Sequence, residues 1–190
     1  PTPRLIFDLG SRFDYFAIDN TLTFKVDRPV VEDSFDAFSP KASMTLRLLG
    51  IDGVGPTLNA YTTYSQAFMP PRRASQLRPG NELNPLSPED IENYELGVKG
   101  SLFDNRLAFD ATAFRMARDG IIHSVRNGPF FLPTNAGEHK YQGYELGVRV
   151  TPGKGLTAYT NAALYKNRFG RFVIEKKGGE TVLTGNRLPI

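Results

Sequence analysis

The chain has 190 residues, of which 40% are hydrophobic, and it carries a net charge of +3 from 23 basic and 20 acidic residues. No apolar run approaches the roughly 20 residues that a membrane-spanning helix needs, and the absence of cysteine excludes disulfides and cysteine-based chemistry. The basic residues are interspersed with acidic ones, so no nucleic-acid partner is expected. A transmembrane β-barrel remains open, because its strands need only about 9–11 residues that alternate between apolar and polar.

Alternation of apolar and polar residues predicts about seven strands and the start of an eighth. The alternating runs begin, in chain order, at Leu5, Ala42, Leu58, Tyr94, Leu107, Tyr144 and Leu156. In the run at 94–102, Leu96 and Val98 share one face of the predicted strand, and the charged residues share the other. The run that begins at Leu107 loses its alternation at 114–116.

The pentapeptide Tyr-Glu-Leu-Gly-Val occurs twice, at 94–98 and 144–148. We interpret it as one structural role that is used twice, because the residues around it do not repeat. A charged side chain that faces hydrocarbon costs about 2–4 kcal/mol near the bilayer midplane. We therefore predict that the charged residues of these two runs face a hydrated lumen; they are Glu95, Lys99, Glu145 and Arg149.

Short and long connections alternate along the chain. The short ones lie at 49–56, 103–105 and 152–155, and the long ones at about 18–37, 68–90, 119–137 and 167–184. This alternation indicates hairpins whose long connections all lie at one end of the sheet, as in a barrel with short periplasmic turns and long extracellular loops. An aromatic girdle is predicted near the long-loop ends of the strands, at Tyr15, Tyr64, Tyr94 and Tyr144. The predicted fold class is all-β, an antiparallel up-and-down transmembrane β-barrel, present here as an incomplete curved sheet of about seven to eight strands.

Seven strands of a larger barrel would leave two open edges, which a bilayer does not tolerate. We therefore expect residues 1–190 to form part of one barrel domain, with further strands on both sides. Two other classes fit part of the pattern. A soluble β-sandwich binding module would also have one apolar and one polar face. An outer-membrane barrel enzyme would need a catalytic constellation, which the sequence does not offer.

Several segments resemble the TonB-dependent receptors of bacterial outer membranes. These segments are YSQAFMPP at 64–71, NPLSPE at 84–89, NYELGVK at 93–99, LFDNRL at 102–107, TNAGE at 134–138, GYEL at 143–146 and GNRLP at 185–189. The family more often has lysine where this chain has Ser87. The resemblance implies a barrel of about 22 strands, an N-terminal plug domain, and active import powered by the periplasmic TonB protein.

The resemblance also implies a location and partners. We expect a bacterial outer-membrane transporter, not an enzyme, that contacts outer-membrane lipid and lipopolysaccharide, reaches TonB through the plug, and needs no cofactor. The plug is expected to lie outside residues 1–190, so no residue here is assigned to energy coupling. A ferric siderophore is the cargo that the resemblance favours, and heme, cobalamin or a glycan are the alternatives.

Candidate ligand contacts lie in the long connection at 68–90. Arg72, Arg73 and Arg78 could attract an anionic ferric chelate, because guanidinium groups bind carboxylate and phosphate oxygens through paired hydrogen bonds. The alternatives are a solvated loop or contact with lipopolysaccharide phosphates.

Two histidines, His123 and His139, flank the next long connection, and Ser124 follows the first. We predict surface histidines here rather than a heme, metal or serine-hydrolase site, because no carboxylate with suitable spacing accompanies them. No catalytic and no metal-binding residue is therefore predicted.

Overall fold

The computed structural model describes residues 4–21, 30–50, 55–71, 76–77, 83–84, 86–127, 130–135, 137–153, 155–176 and 179–188. The strands among these residues are β1 Leu5–Thr21, β2 Val30–Leu49, β3 Thr57–Met69, β4 Gln76–Leu77, β5 Leu83–Asn84, β6 Glu89–Leu102, β7 Leu107–Asp119, β8 Ile122–Asn127, β9 Phe130–Asn135, β10 Glu138–Gly153, β11 Leu156–Phe169, β12 Val173–Lys176 and β13 Gly179–Val182. No helix in the described part of the chain is long and apolar enough to cross a membrane.

Seven of the strands form one sheet in the order β1-β2-β3-β6-β7-β10-β11. Each pair of neighbours in it is antiparallel, so the sheet is an up-and-down meander, as predicted. The residues predicted to begin an eighth strand lie against the end of β11. Arg187 forms a β-bridge with Arg168, and the Phe169 amide donates a hydrogen bond to the Asn186 carbonyl at 2.9 Å.

The two faces of this sheet differ in chemistry and in exposure. Residues that lie directly opposite each other in a ladder point to the same face, and Leu96, Ala113 and Tyr144 are joined in this way. Large apolar side chains on this apolar face are exposed, with Leu96 at 64% and Leu164 at 75%. No other element of the described residues covers them. This contradicts the soluble β-sandwich alternative, in which the apolar face would pack on a core.

The buried hydrophobic residues of the described chain lie elsewhere, in or beside the long connections. They are Leu86, Ile121, Leu132, Phe172 and Leu188. We call the described parts of residues 86–89, 120–139 and 169–188 the loop cluster. The protein core is therefore at the long-loop end of the sheet, while the sheet itself has an uncovered apolar face.

The short connection after β6 closes as a tight turn. Asp104 and Asn105 have φ angles of 55° and 65°, in the left-handed region that these two residue types tolerate. The Arg106 amide donates a hydrogen bond to the Phe103 carbonyl at 3.0 Å. The tight turn predicted from Asp104 and Asn105 is confirmed.

The long connections contain more strand than the sequence indicated. β1 and β2 stay paired as far as Thr21 and Val30, so much of the predicted connection at 18–37 is an extended hairpin. β7 likewise continues to Asp119 through the segment where alternation fails. The physical reason is that apolar alternation is needed only where a strand borders hydrocarbon, whereas ladder hydrogen bonds continue beyond it. Three two-stranded ribbons, β4–β5, β8–β9 and β12–β13, occupy the remaining long connections.

The four predicted girdle tyrosines lie on the apolar face, towards the long-loop end. Tyr64 and Tyr94 are directly opposite each other, with ring centroids 4.9 Å apart. Tyr144 lies two residue pairs below the row of Tyr94, and Tyr15 lies above the row that contains Tyr64. The strands of a barrel tilt relative to its axis, so residues at one membrane depth belong to different hydrogen-bonded rows. A diagonal line of tyrosines is therefore the arrangement expected of a girdle.

Candidate functional site

The charged residues predicted to face a lumen all lie on the polar face of the sheet. They are Glu95, Lys99, Glu145 and Arg149. Lys99 is directly opposite Asp110, and Glu145 is opposite Thr112. Among the described residues none of the four forms an ion pair, so the structure spreads them over a polar wall rather than joining them in one cluster.

A tyrosine on β3 organises the middle of this wall. The hydroxyl groups of Tyr61 and Thr112 share a hydrogen bond of 2.6 Å, which holds the phenol across Gly97 of β6. A Cβ atom at Gly97 would lie 2.6 Å from the Tyr61 ring, so only glycine leaves room for it. The Lys99 ammonium lies 5.5 Å from the centroid of the same ring, within the range of a cation–π interaction.

The glycine of the second pentapeptide has the same role. A Cβ atom at Gly147 would lie 2.5 Å from Oδ1 of Asp110, so the carboxylate of β7 lies across β10 as the phenol of β3 lies across β6. The recurrence of Tyr-Glu-Leu-Gly-Val was visible in the sequence, but the side chain that crosses each glycine was not. A shallow depression of about 490 Å³ lies on this part of the wall, with Lys99, Asp110 and Arg149 among its lining residues.

A second group, near the long-loop end of the sheet, combines aromatic rings with a cation. Phe16 and Phe35 are paired between β1 and β2, with ring centroids 5.3 Å apart. The Phe16 ring stacks on Phe68 at 5.7 Å, and the Arg12 guanidinium carbon lies 6.0 Å from the Phe68 centroid. Asp14 holds Arg12 through an ion pair of 2.6 Å. The sequence-based prediction missed this group; the signal that could have found it is phenylalanine at polar-face positions of two strands.

Both histidines are half-buried, so they lie in a packed cluster rather than on an open surface. The rings of His123 and His139 lie 5.7 Å apart. His123 packs against Phe172 at 4.6 Å, and His139 packs against Phe169 at 5.1 Å. We call these four residues the imidazole cluster. The sequence shows that the histidines flank one long connection, but not that β8 folds back beside β10 and the segment after β11.

Both histidines have a buried Nε2 atom without a hydrogen-bond partner in the described structure. In this conformation these two Nε2 atoms are not accessible to a bound metal. Burial lowers the pKa of His123 below its ordinary value of 6.5, the Glu89 carboxylate opposes this shift, and Arg118 adds to it. The neutral imidazole is therefore the form that the loop cluster holds.

A buried carboxylate anchors β8 above the sheet. Glu89 pairs with Arg118, and its other oxygen accepts the Ile122 amide hydrogen at 3.0 Å. Asn135 ties the hairpin to the preceding connection, because its amide nitrogen donates to the Ser87 carbonyl at 2.9 Å and its amide oxygen accepts from the Ser87 amide at 2.8 Å. These bonds hold the loop cluster against the upper ends of β6 and β7. The predicted ligand contacts Arg72, Arg73 and Arg78 lie outside the described residues.

Comparison with known proteins agrees with this architecture. The family model "TonB dependent receptor-like, beta-barrel" matches residues 1–190, and the chain belongs to that family. The "Probable TonB-dependent siderophore receptor PiuA" of Acinetobacter baumannii is 24% identical over 208 residues, which cover 99% of this chain and 26% of the relative. The "Metal-pseudopaline receptor CntO" of Pseudomonas aeruginosa is 26% identical over 140 residues, which cover 73% of this chain and 18% of the relative.

Solved structures show the same fold. The crystal structure of the siderophore receptor PiuA from A. baumannii matches with a TM-score of 0.73 at 21% identity and covers 99% of this chain and 27% of that one. The alcaligin outer-membrane receptor FauA from Bordetella pertussis matches with a TM-score of 0.67 at 17% identity and covers 98% of this chain and 29% of that one. The chain thus spans about a quarter of the PiuA sequence. It is a segment of a bacterial outer-membrane β-barrel of the TonB-dependent receptor family, which consists of receptors rather than enzymes.

Proposed function

We propose that the complete protein is a TonB-dependent outer-membrane transporter that imports a ferric siderophore. The observation that carries this proposal is the two-faced sheet, with exposed leucines on one face and an unpaired charged wall on the other. Its match to the PiuA structure extends over 99% of the chain, which supports the barrel. The siderophore rests on the printed names of the relatives, a siderophore receptor and a metal-pseudopaline receptor.

The polar face suits the lining of a transport lumen. Lys99, Glu145 and Arg149 are exposed and, among the described residues, have no ionic partner, so water or a passing ligand can contact them. At the long-loop end, Arg12 and the rings of Phe16 and Phe68 offer a cation and stacking surfaces. A ferric chelate is a large anion with an organic ligand shell, and such a surface can attract its charge and contact its apolar groups. Energy would reach the cargo through a plug domain in contact with TonB.

Iron-limited growth tests the proposed cargo class. A strain without its own receptors would express the full-length protein and receive ferric hydroxamates, ferric catecholates, ferric carboxylate chelates, heme, cobalamin or an oligosaccharide as separate supplements. Growth on one ferric chelate, lost when TonB is deleted, is the expected result. Growth on heme alone, or TonB-dependent uptake of cobalamin or a glycan alone, would contradict the siderophore assignment and retain the transporter class.

The three arginines of the connection at 68–90 can be tested by measuring the affinity of the full-length protein for the ferric chelate that supports growth. We expect the double variant Arg72→Gln and Arg73→Gln to weaken binding of the anionic chelate by about 100-fold or more, because each charged hydrogen bond contributes about 1.5–3 kcal/mol, and Arg78→Gln to weaken it further. Arg106→Gln is the control, since it makes the same change in the exposed turn at the opposite end of the sheet. Unchanged affinity in the double variant would remove these arginines from the binding site.

A further inference from the structure

The ladder between β2 and β3 ends while both strands continue. Towards the long-loop end, Lys41 and Ser65 are the last residues paired between these strands, although β2 includes 30–40 and β3 includes 66–69. In this stretch β1 pairs with one edge of β2, and β6 pairs with one edge of β3. The two edges that face each other are therefore without a ladder partner among the described residues.

A proline accounts for this separation. The Arg47 amide donates a hydrogen bond to the Arg4 carbonyl at 2.8 Å. Because N–H groups along a strand alternate between its two edges, the odd-numbered residues of β2 donate towards β1 and the even-numbered ones towards β3. Pro40 follows Lys41 in this second series, and it has no N–H group to donate. The ladder to β3 therefore loses a hydrogen bond at Pro40, whereas the ladder to β1 continues.

The two unpaired edges border a groove with aromatic residues. A depression of about 680 Å³ is lined by residues 36–38 of one edge and 66–68 of the other. Phe68 reaches from β3 to stack on Phe16 of β1, with ring centroids 5.7 Å apart, and Phe16 packs against Phe35 of β2. The groove thus offers backbone donors and acceptors along both sides, together with apolar rings.

The rim of the groove is acidic. Its described lining residues include no lysine or arginine and five carboxylates: Asp36, Asp90, Glu92, Asp119 and Glu138. Asp90 is directly opposite Asp119, and Asp119 is directly opposite Glu138, an arrangement in which like charges repel each other. Among the described residues, only Glu138 of these five forms an ion pair, with Lys140 at 3.0 Å. A cationic occupant would therefore relieve repulsion between carboxylates.

We propose that this groove is a docking site for an extended peptide segment of a partner protein, in which basic and apolar residues alternate. The segment would add a strand between β2 and β3, because an unpaired strand edge can exchange ladder hydrogen bonds with another chain. Successive side chains of a strand point in opposite directions. Apolar residues of the segment would therefore contact Phe16 and Phe68, while its basic residues would face the carboxylates of the rim. Such docking would be independent of the cargo.

Binding of the peptide Lys-Val-Lys-Val-Lys-Val-Lys to the full-length protein in neutral detergent tests the groove. The peptide carries a neutral fluorophore, and fluorescence anisotropy measures its affinity. Methylation of alternate backbone nitrogens should weaken binding by about tenfold or more, because it removes several backbone hydrogen bonds. A block isomer, with four lysines followed by three valines, has the same charge and should also bind more weakly, because its basic and apolar residues do not alternate.

Two variants of the protein locate the binding. Ser34→Pro removes an N–H group that points away from β1 and should weaken binding about fivefold, whereas its control Ser34→Ala should not. Asp90→Asn with Asp119→Asn should weaken binding about fivefold or more by removing two charges from the rim. The matched control is Asp8→Asn with Asp104→Asn, which removes the same charge towards the short-turn end of the sheet and should leave peptide binding unchanged.

Equal binding of the methylated peptide, unchanged affinity in Ser34→Pro, or equal losses in the two aspartate pairs would each overturn the docking site. Absence of binding by the alternating peptide would also overturn it, as would its full displacement by Ca²⁺ at constant ionic strength, which would identify a cation site instead. TonB-dependent growth on ferric chelates is measured in parallel. Retained growth of Ser34→Pro shows that the variant folds, and growth without peptide binding removes the docking site while leaving the transporter proposal intact.

Discussion

Large apolar residues have opposite surroundings in the sheet and in the loop cluster. On the sheet, Leu9 is 81% exposed, whereas in the loop cluster Phe172 is 6% exposed. Both regions belong to one chain and are a few residues apart in places, so the difference is not one of composition. The difference shows that the sheet and the loop cluster have different environments. Hydrocarbon covers the sheet from outside, and the loop cluster, which faces water, has to provide its own core.

The two regions also satisfy their polar groups differently. The sheet uses ladder hydrogen bonds and, from the Leu96 row towards the short turns, has its charges on the polar face alone. In the loop cluster, the buried Glu89 carboxylate lies between the Arg118 guanidinium and the backbone amide of Ile122. A buried carboxylate needs such partners, because loss of one leaves an uncompensated charge. The effect of a substitution on stability should therefore depend more on the region and the face of the sheet than on the residue type.

The largest expected effect is a charge on the apolar face. Leu146→Arg, in the middle of β10, should destabilise the full-length receptor in bilayers by about 2–4 kcal/mol, because the guanidinium would enter hydrocarbon. Glu145→Arg is the control, since it places the same side chain one residue away on the polar face and should change stability by at most about 0.5 kcal/mol. Reversible urea unfolding from lipid vesicles measures both.

Equal losses of stability in Leu146→Arg and Glu145→Arg would mean that both faces of β10 have the same surroundings. That result would contradict the assignment of one face to hydrocarbon and the other to water. A loss for Glu145→Arg alone would reverse the assignment of the faces.

A smaller effect is expected where a glycine makes room for a side chain. Gly97→Ala should destabilise the receptor by about 1–3 kcal/mol through overpacking, because the new Cβ atom meets the Tyr61 ring and displaces the hydroxyl from Thr112. Gly10→Ala is the matched control on the same face, where a Cβ atom would meet nothing within 4 Å. Urea unfolding of the two single variants gives the comparison.

Adding Tyr61→Ser should relieve most of the Gly97→Ala penalty, since the two changes act on one contact. Additive losses in the double variant would show that the ring and the glycine are independent, contrary to the geometry of the wall.

The smallest effect is a response to acid that is confined to the loop cluster. The folded-state pKa of His123 is lowered by burial, so its contribution to stability is complete above the ordinary value of about 6.5 and is lost as the pH falls below it. Protection of 120–127 against hydrogen exchange, corrected for intrinsic rates, should therefore drop between about pH 7.5 and pH 5, while protection of 94–102 should not.

His123→Leu should remove most of this acid response, because leucine fills apolar space and cannot take a proton. An undiminished response in that variant, or a parallel drop in protection of the sheet, would place the titrating group elsewhere.

Alternation was sufficient to find the strands and their faces, since it is a local property that the bilayer imposes on each strand separately. Leu96 and Glu95, for example, are assigned to opposite faces by the sequence and by the structure. Alternation failed at 114–116 because β7 continues beyond hydrocarbon, where no solvent imposes a period of two. The positions of Arg72, Arg73 and Arg78 stay predictions.

The candidate site was predictable only in part. The sequence identified the polar wall residues, because a charge in the part of a strand that borders hydrocarbon is stable only on the hydrated face. It did not identify the Phe16, Phe35 and Phe68 group or the imidazole cluster, because their members lie far apart in the chain and come together only when long connections fold over the sheet.

By itself the sequence determined the class of fold, the number of strands in the main sheet, and which side chains share a face. These follow from interactions within one strand or one tight turn, where neighbours in sequence are neighbours in space. Tertiary structure alone decided that Tyr61 lies across Gly97 and that two histidines pack together in the loop cluster. Those outcomes depend on register and on loop packing, which place residues from different strands within contact distance.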